Sequence, residues 1–219
     1  MKNAIAIALV AGLASAASAE VITSWVNFGQ PGDQASSPVG TTAANVTGIE
    51  LTRGSGLGVS AANNSFSSNG WDQGDGDDEQ DYFSFGFTVA DGYSVNLDSF
   101  WVGARSSNTG PGFLGLFSSV DGFTTNLFTF TQSGTNFNNV VADLSSLDNL
   151  TGTVEFRVYA LNEVSANGGI VGSGGTFRFG DYFDGANFSE MRFEGTVVPA
   201  PGAMALIGLG GLVAARRRR

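Results

Sequence analysis

Between Tyr82 and Val89 the chain alternates strictly: Phe83, Phe85, Phe87 and Val89 fall on one face, Ser84, Gly86 and Thr88 on the other. A period of two held over that length predicts a half-buried β-strand with one wet face. Thr153 to Leu161 repeats the pattern, with Val154, Phe156 and Val158 opposite Glu155 and Arg157. So does the segment carrying Met191, Phe193 and Val197 against Arg192 and Glu194. Weaker alternation predicts six more strands: Val21 to Phe28, Val46 to Leu51, Val95 to Ala104, Phe113 to Phe117, Asn126 to Phe130 and Val140 to Leu144. In the third of these Trp101 shares its face with Val95, Leu97 and Gly103, so it is expected in the core.

Asp-Gly pairs at Asp91-Gly92, Asp121-Gly122 and Asp184-Gly185 punctuate these segments as turns. Apart from the two ends of the chain, no stretch sustains a helical apolar period. Short, mostly antiparallel strands predict an all-β domain, a single antiparallel β-sandwich of jelly-roll-like type spanning residues 20–198. That length suffices to bury one core without staples, and the chain has no cysteine.

The two ends follow a different pattern. Lys2, an apolar run from Ala4 to Ala14 and the small-residue site Ala17-Ser18-Ala19 read as a signal peptide over residues 1–19, cut before Glu20. Export changes the charge balance. Only Arg53, Arg105, Arg157, Arg178 and Arg192 remain to offset twenty acids, a net charge of −15. Such a surface repels phosphate backbones, which excludes nucleic acid as a partner; it suits divalent cations and neutral polysaccharide.

The chain has no histidine, and its one lysine lies in the signal peptide. Serine triads, thiol nucleophiles, imidazole–zinc sites and Schiff-base chemistry therefore fall away. A carboxylate pair of the glycosidase kind survives, and Glu190 with Glu194, flanking Arg192, is the best same-face pair. Alternating charge on the wet face of a strand more often serves solubility, so no residue is assigned a catalytic role. Calcium is the stronger case. Asp72, Asp75, Asp77, Asp78, Glu79 and Asp81 crowd into one stretch hinged by Gly74 and Gly76, and hard cations take several oxygens from a loop able to wrap them. The EF-hand pattern fails at Gln80, where glycine is required, and a solvated acidic loop is the plainer reading. Trp71, in that polar surrounding, is the candidate for stacking on a sugar ring.

The chain ends VPAPGAMALIGLGGLVAARRRR. The uncharged run from Gly202 to Ala215 spans about 21 Å as a helix at ~1.5 Å per residue, short of a hydrocarbon core of ~30 Å. Arg216, Arg217, Arg218 and Arg219 would hold the C-terminus in the cytoplasm, while Pro199 and Pro201 keep the upstream strip extended. In its order of Pro-x-Pro, short glycine-rich span and arginine cluster, this tail (residues 199–219) resembles the PEP-CTERM sorting signal. The resemblance implies processing by exosortase, a membrane-embedded cysteine transpeptidase, and a place among surface or matrix proteins of bacteria that make exopolysaccharide. The motif maps onto Pro199, Ala200 and Pro201, with Ala200 where the family name calls for glutamate. The expectation is an exported, non-enzymatic protein of the cell surface or extracellular matrix, transiently anchored in the membrane and structural or adhesive in an exopolysaccharide layer. Its rivals are a glycosidase and a lectin-like carbohydrate-binding module, and for the tail a plain membrane anchor.

Overall fold

The computed structural model describes residues 19–71, 78–134 and 136–199. Residues 1–18, which include all but the last residue of the stretch read as a signal peptide, lie outside these residues, as do most of the acidic loop and the tail beyond Pro199. The described chain is all-β.

The larger sheet takes its strands from the whole chain: β1 (Glu20–Trp25), β2 (Pro31–Gly32), β3 (Val39–Thr42), β5 (Gly58–Val59), β6 (Ser65–Asn69), β8 (Tyr93–Ser106), β11 (Asn138–Asp143), β13 (Phe177–Gly180) and β16 (Met191–Pro199). Its main order is β2-β6-β13-β8-β16-β1-β3, with β11 also on β8 and β5 also on β6. The smaller sheet has the order β10-β9-β12-β7-β4, formed by β4 (Val46–Arg53), β7 (Tyr82–Val89), β9 (Phe113–Ser118), β10 (Phe128–Thr131) and β12 (Thr153–Ala160). A separate hairpin joins β14 (Tyr182–Phe183) to β15 (Phe188–Ser189). Among the described residues, only the short β2–β6 contact is parallel.

The strictly alternating segments behave as their pattern predicts. In β7 Phe83, Phe85 and Phe87 are fully buried, and Phe85 reaches across to the larger sheet. Its ring centroid lies 5.2 Å from both Trp25 and Phe100 and 5.7 Å from Phe193. Offset and edge-on aromatic pairs each add roughly 0.5–1.5 kcal/mol beyond the apolar area they bury. Phe83 makes a similar link, to Phe66, Phe177 and Phe179 of the larger sheet.

Strand β8 departs from its predicted pattern. Against β16, Glu194 pairs with Ser99 but Gly195 pairs with Leu97, so Asp98 is an extra residue in the ladder. A bulge of one residue exchanges the two faces of the strand beyond it. Val95 and Leu97 point inward before it; Phe100, Val102 and Ala104 point inward after it. Trp101 is thereby turned out of the core, contrary to expectation, and lies half-buried on the outer face. There it meets the guanidinium of Arg192 and the ring of Tyr182.

Of the strands outside the nine predicted segments (β2, β3, β5, β6, β13, β14 and β15), two lie in the larger sheet's β6–β13–β8 run. β6 reads SFSSN and buries Ser65, Ser67 and Ser68 along with Phe66, and β13 reads FRFG and is too short to show a period. Buried serines are tolerated in β6 partly because Arg53 lies beside it. The Arg53 guanidinium donates to the carbonyls of Ser67 and Gly32 at 2.7 and 2.8 Å and to Ser68 Oγ at 2.6 Å. It also packs 3.8 Å from the Phe66 ring centre.

Candidate functional site

Four large rings remain open to solvent around one cleft on the outer side of the larger sheet. Phe28 is 60 % exposed and Phe188 63 %, with Phe137 and Phe183 also exposed. The cleft holds about 330 Å³, at the lower end of the ~300–1,000 Å³ typical of small-molecule sites. Its polar lining comes from Asn63, Asn64, Asn139 and Asp181.

Local sequence explains how each part is held. The Asp184-Gly185 turn closes the β14–β15 hairpin: Gly185 adopts a φ of 100°, and Asp184 Oδ1 accepts from the amides of Ala186 and Asn187 at 2.8 and 2.7 Å. Those amides hold the exposed Asp184 carboxyl below its usual range. Phe183 and Phe188 thus stand 4.7 Å apart, with Phe28 6.3 Å from Phe188. Asn139 ties the hairpin to β11 by accepting from the Phe183 amide at 3.0 Å and donating back to its carbonyl. Asn64, in the left-handed region at φ 59°, accepts from the amide of Gly29 at 2.8 Å and so fixes the loop carrying Phe28. At the floor, Gly180 and Gly103 face each other across β13 and β8. A Cβ on Gly103 would come within 2.3 Å of the Asp181 carbonyl, and one on Gly180 within 3.0 Å of the Phe137 ring. Glycine at both positions lets these groups lie close against the sheet.

Asp181 is the one titratable group in the cleft. Burial, then the nearby charge of Glu190, pushes its carboxyl up to about 6, against opposing hydrogen bonds from the amides of Asn27 and Phe28. Its Oδ1 is buried and lacks a hydrogen-bond partner. Open rings beside amides and a carboxylate with a vacant acceptor suit a ligand with flat apolar faces and a hydroxyl-bearing edge.

The residues singled out from the sequence are placed differently. Trp71 is fully buried, which corrects its assignment to sugar contact. Its indole packs edge-on against Phe83 and Phe177 at 5.0 and 5.5 Å, and Nε1 donates to the Ser68 carbonyl at 3.0 Å. Asp72, Asp75 and Asp77 lie outside the described residues. Asp78 opens a short 3₁₀ turn (Asp78–Gln80), Glu79 is exposed, and Asp81 is fully buried. Among the described residues no group of three or more acidic side chains could hold a metal ion.

Glu190 and Glu194 are engaged in structural contacts. Glu190 accepts from the Ser24 hydroxyl, and Glu194 pairs with Arg192 at 2.7 Å. Pro199 ends β16; Ala200, Pro201 and the four terminal arginines lie outside the described residues. Among the described residues no helix is long and apolar enough to cross a membrane.

Nothing periodic in the sequence marks the cleft, because Phe28, Phe137 and the Phe183–Phe188 hairpin come from separate loops and short strands. The one legible signal was the Asp184-Gly185 turn. Compared with known proteins, the chain matches no family model, no curated protein and no solved structure.

Proposed function

We propose that this is an exported protein of the cell surface or extracellular matrix, adhesive or structural in an exopolysaccharide layer. In this reading residues 1–19 direct export and residues 202–215 hold the chain transiently in the membrane. An exosortase-like transpeptidase then acts at the strip Pro199–Pro201. The two facing sheets make up a β-sandwich of jelly-roll-like type that carries the adhesive surface.

The observation that carries the adhesive part is the cleft, with its four open phenylalanines beside Asn63, Asn64 and Asp181. Exposed rings of this size gain free energy when covered, at roughly 25 cal/mol per Å² of apolar area, and the faces of sugar rings are a suitable cover. The raised carboxyl of Asp181 beside Glu190 is the observation on the side of the glycosidase alternative, since hydrolysis needs one protonated and one ionised carboxyl group.

Co-sedimentation of the purified protein with insoluble polysaccharides tests both readings. The adhesive reading expects the protein in the pellet, its loss from the pellet when Phe28 and Phe188 are replaced by alanine, and no rise in reducing ends. Wild-type protein left in the supernatant with every polysaccharide would overturn it, and released reducing ends would favour the glycosidase.

A further inference from the structure

Three of the five arginines in the described chain are committed. Arg157 pairs with Glu155 at 2.6 Å, Arg192 with Glu194 at 2.7 Å, and Arg53 is tied to backbone carbonyls. Arg105 and Arg178 are different. They sit directly opposite each other across β8 and β13, yet among the described residues neither has an ion pair or a hydrogen bond. In a chain with twenty acids, two like charges paired on one sheet face without a counter-charge call for an explanation, because that arrangement destabilises a sheet. Burial, and then Arg105, lower the pKa of Arg178.

A second, independent feature points to the same place. Ser67 lies opposite Arg178 on the next strand, so Ser67, Arg178 and Arg105 form a row across β6, β13 and β8. Ser67 is 1 % exposed and its Oγ has no hydrogen-bond partner. With Ser60, Ser107 and Thr176 these three residues line a pocket of about 170 Å³. Ser107 Oγ already accepts from the Thr176 amide at 2.9 Å, which leaves its own proton to donate. Two guanidinium groups and a floor of hydroxyls offer donors in abundance and only weak acceptors, the composition of an oxyanion site.

This pocket adjoins the aromatic cleft. Residues 60–62 line the pocket and the next two, Asn63 and Asn64, line the cleft. The guanidinium of Arg178 also stands 4.8 Å from the centre of the Phe137 ring, which borders the cleft. We infer that Ser67, Arg105 and Arg178 bind the oxyanion substituent, a carboxylate or sulfate, of an acidic polysaccharide whose neighbouring sugar ring rests in the phenylalanine-lined cleft. This inference rests on the adhesive reading and narrows its ligand from polysaccharide in general to an acidic one. A long-range field of −15 opposes such a ligand, but over a Debye length of ~8 Å at physiological salt the local arginine pair outweighs distant acids.

Calorimetric titration of the purified protein separates the possibilities, using a galacturonate tetramer, a sulfated galactose tetramer, the uncharged galactose tetramer and inorganic phosphate as probes. At least one of the two acidic tetramers should bind about ten-fold or more tightly than the neutral one, as charged hydrogen bonds warrant, and which of them does so identifies the oxyanion. Arg105→Gln should abolish that preference by weakening the acidic tetramer about ten-fold. Ser67→Ala, which removes a hydroxyl without a structural partner, should weaken the acidic probe several-fold with the melting temperature unchanged. Equal binding of acidic and neutral tetramers, or an acidic preference that survives both substitutions, overturns the inference and leaves the adhesive reading intact. Phosphate binding as tightly as the preferred acidic tetramer overturns the link to a glycan. No binding of any tetramer, together with failure to sediment with polysaccharide, overturns both.

Discussion

The guanidinium carbon of Arg192 lies 4.6 Å from the centre of the Trp101 indole, on the outer face of the larger sheet. Trp101 Nε1 donates to Ser99 Oγ at 2.7 Å, and the Tyr182 ring meets the indole edge-on at 4.9 Å. The contact exists because the Asp98 bulge reverses β8. The residue with the aromatic face pattern of a core position is at the surface, and Trp71, from a polar loop, is in the core.

That exchange sets two mutations apart. Trp71→Ala opens a cavity among Phe83 and Phe177 and should destabilise by about 3–5 kcal/mol. Trp101→Ala loses chiefly a partly exposed cation–π contact and should cost about 0.5–1 kcal/mol. Urea unfolding followed by far-ultraviolet circular dichroism measures both; equal losses would contradict the assigned burial.

Strands with strict alternation, β7, β12 and β16, were legible because their polar residues face water. β6 was not, because its serines are buried, and their backbone partner Arg53 is distant in sequence. The cleft was illegible for a related reason. Phe28, Phe137 and the Phe183–Phe188 hairpin come from three places in the chain that no local pattern links. The glycine turns were legible at Asp91-Gly92, Asp121-Gly122 and Asp184-Gly185, whose glycines each have positive φ. A single residue's need for left-handed backbone is a local property, whereas a cleft is not.

Asp181 makes stability depend on pH in an uncommon direction for a carboxylate. Its folded pKa, about 6, lies above the ordinary value of 3.8, so between these values the folded state binds more protons than the unfolded one. Its contribution is therefore fully present below pH ~4 and is lost as pH rises through ~6. Burial raises the Asp181 pKa most, the charge of Glu190 adds to that, and the Asn27 and Phe28 amides oppose both. Asp181→Asn should flatten the melting temperature between pH 4 and 7 relative to wild type, as read by thermal scans; an unchanged slope would mean that Asp181 titrates normally.

Removing one of the facing arginines should stabilise the free protein. Arg105→Gln relieves a like-charge pair across β8 and β13, an effect of roughly 0.2–1 kcal/mol, so its melting temperature should rise slightly at low salt and converge with wild type at high salt. A lower melting temperature at low salt would show that Arg105 supports the fold.

The tail makes a prediction that needs no structure of its own. If residues 199–219 are a sorting signal, mature surface protein lacks Arg216 to Arg219, and replacing Pro199 and Pro201 with alanine traps full-length chain in the membrane fraction. C-terminal peptide mass spectrometry of surface-extracted protein is the measurement; abundant material ending in Arg219 would identify the segment as a plain anchor.

Asp98 also determines which errors of length the molecule can survive. Substitution there is benign, since the side chain is exposed, but excision is another matter. Without that residue the segment from Phe100 to Ser106 would be read in the opposite parity, turning Phe100, Val102 and Ala104 toward water and driving Trp101 and Arg105 into the apolar interior. The arginine of the inferred oxyanion pocket and the phenylalanine under the central aromatic cluster are locked to the same count. A one-residue indel that a surface loop would absorb would here invert half a strand, losing the interior and the binding face in a single step.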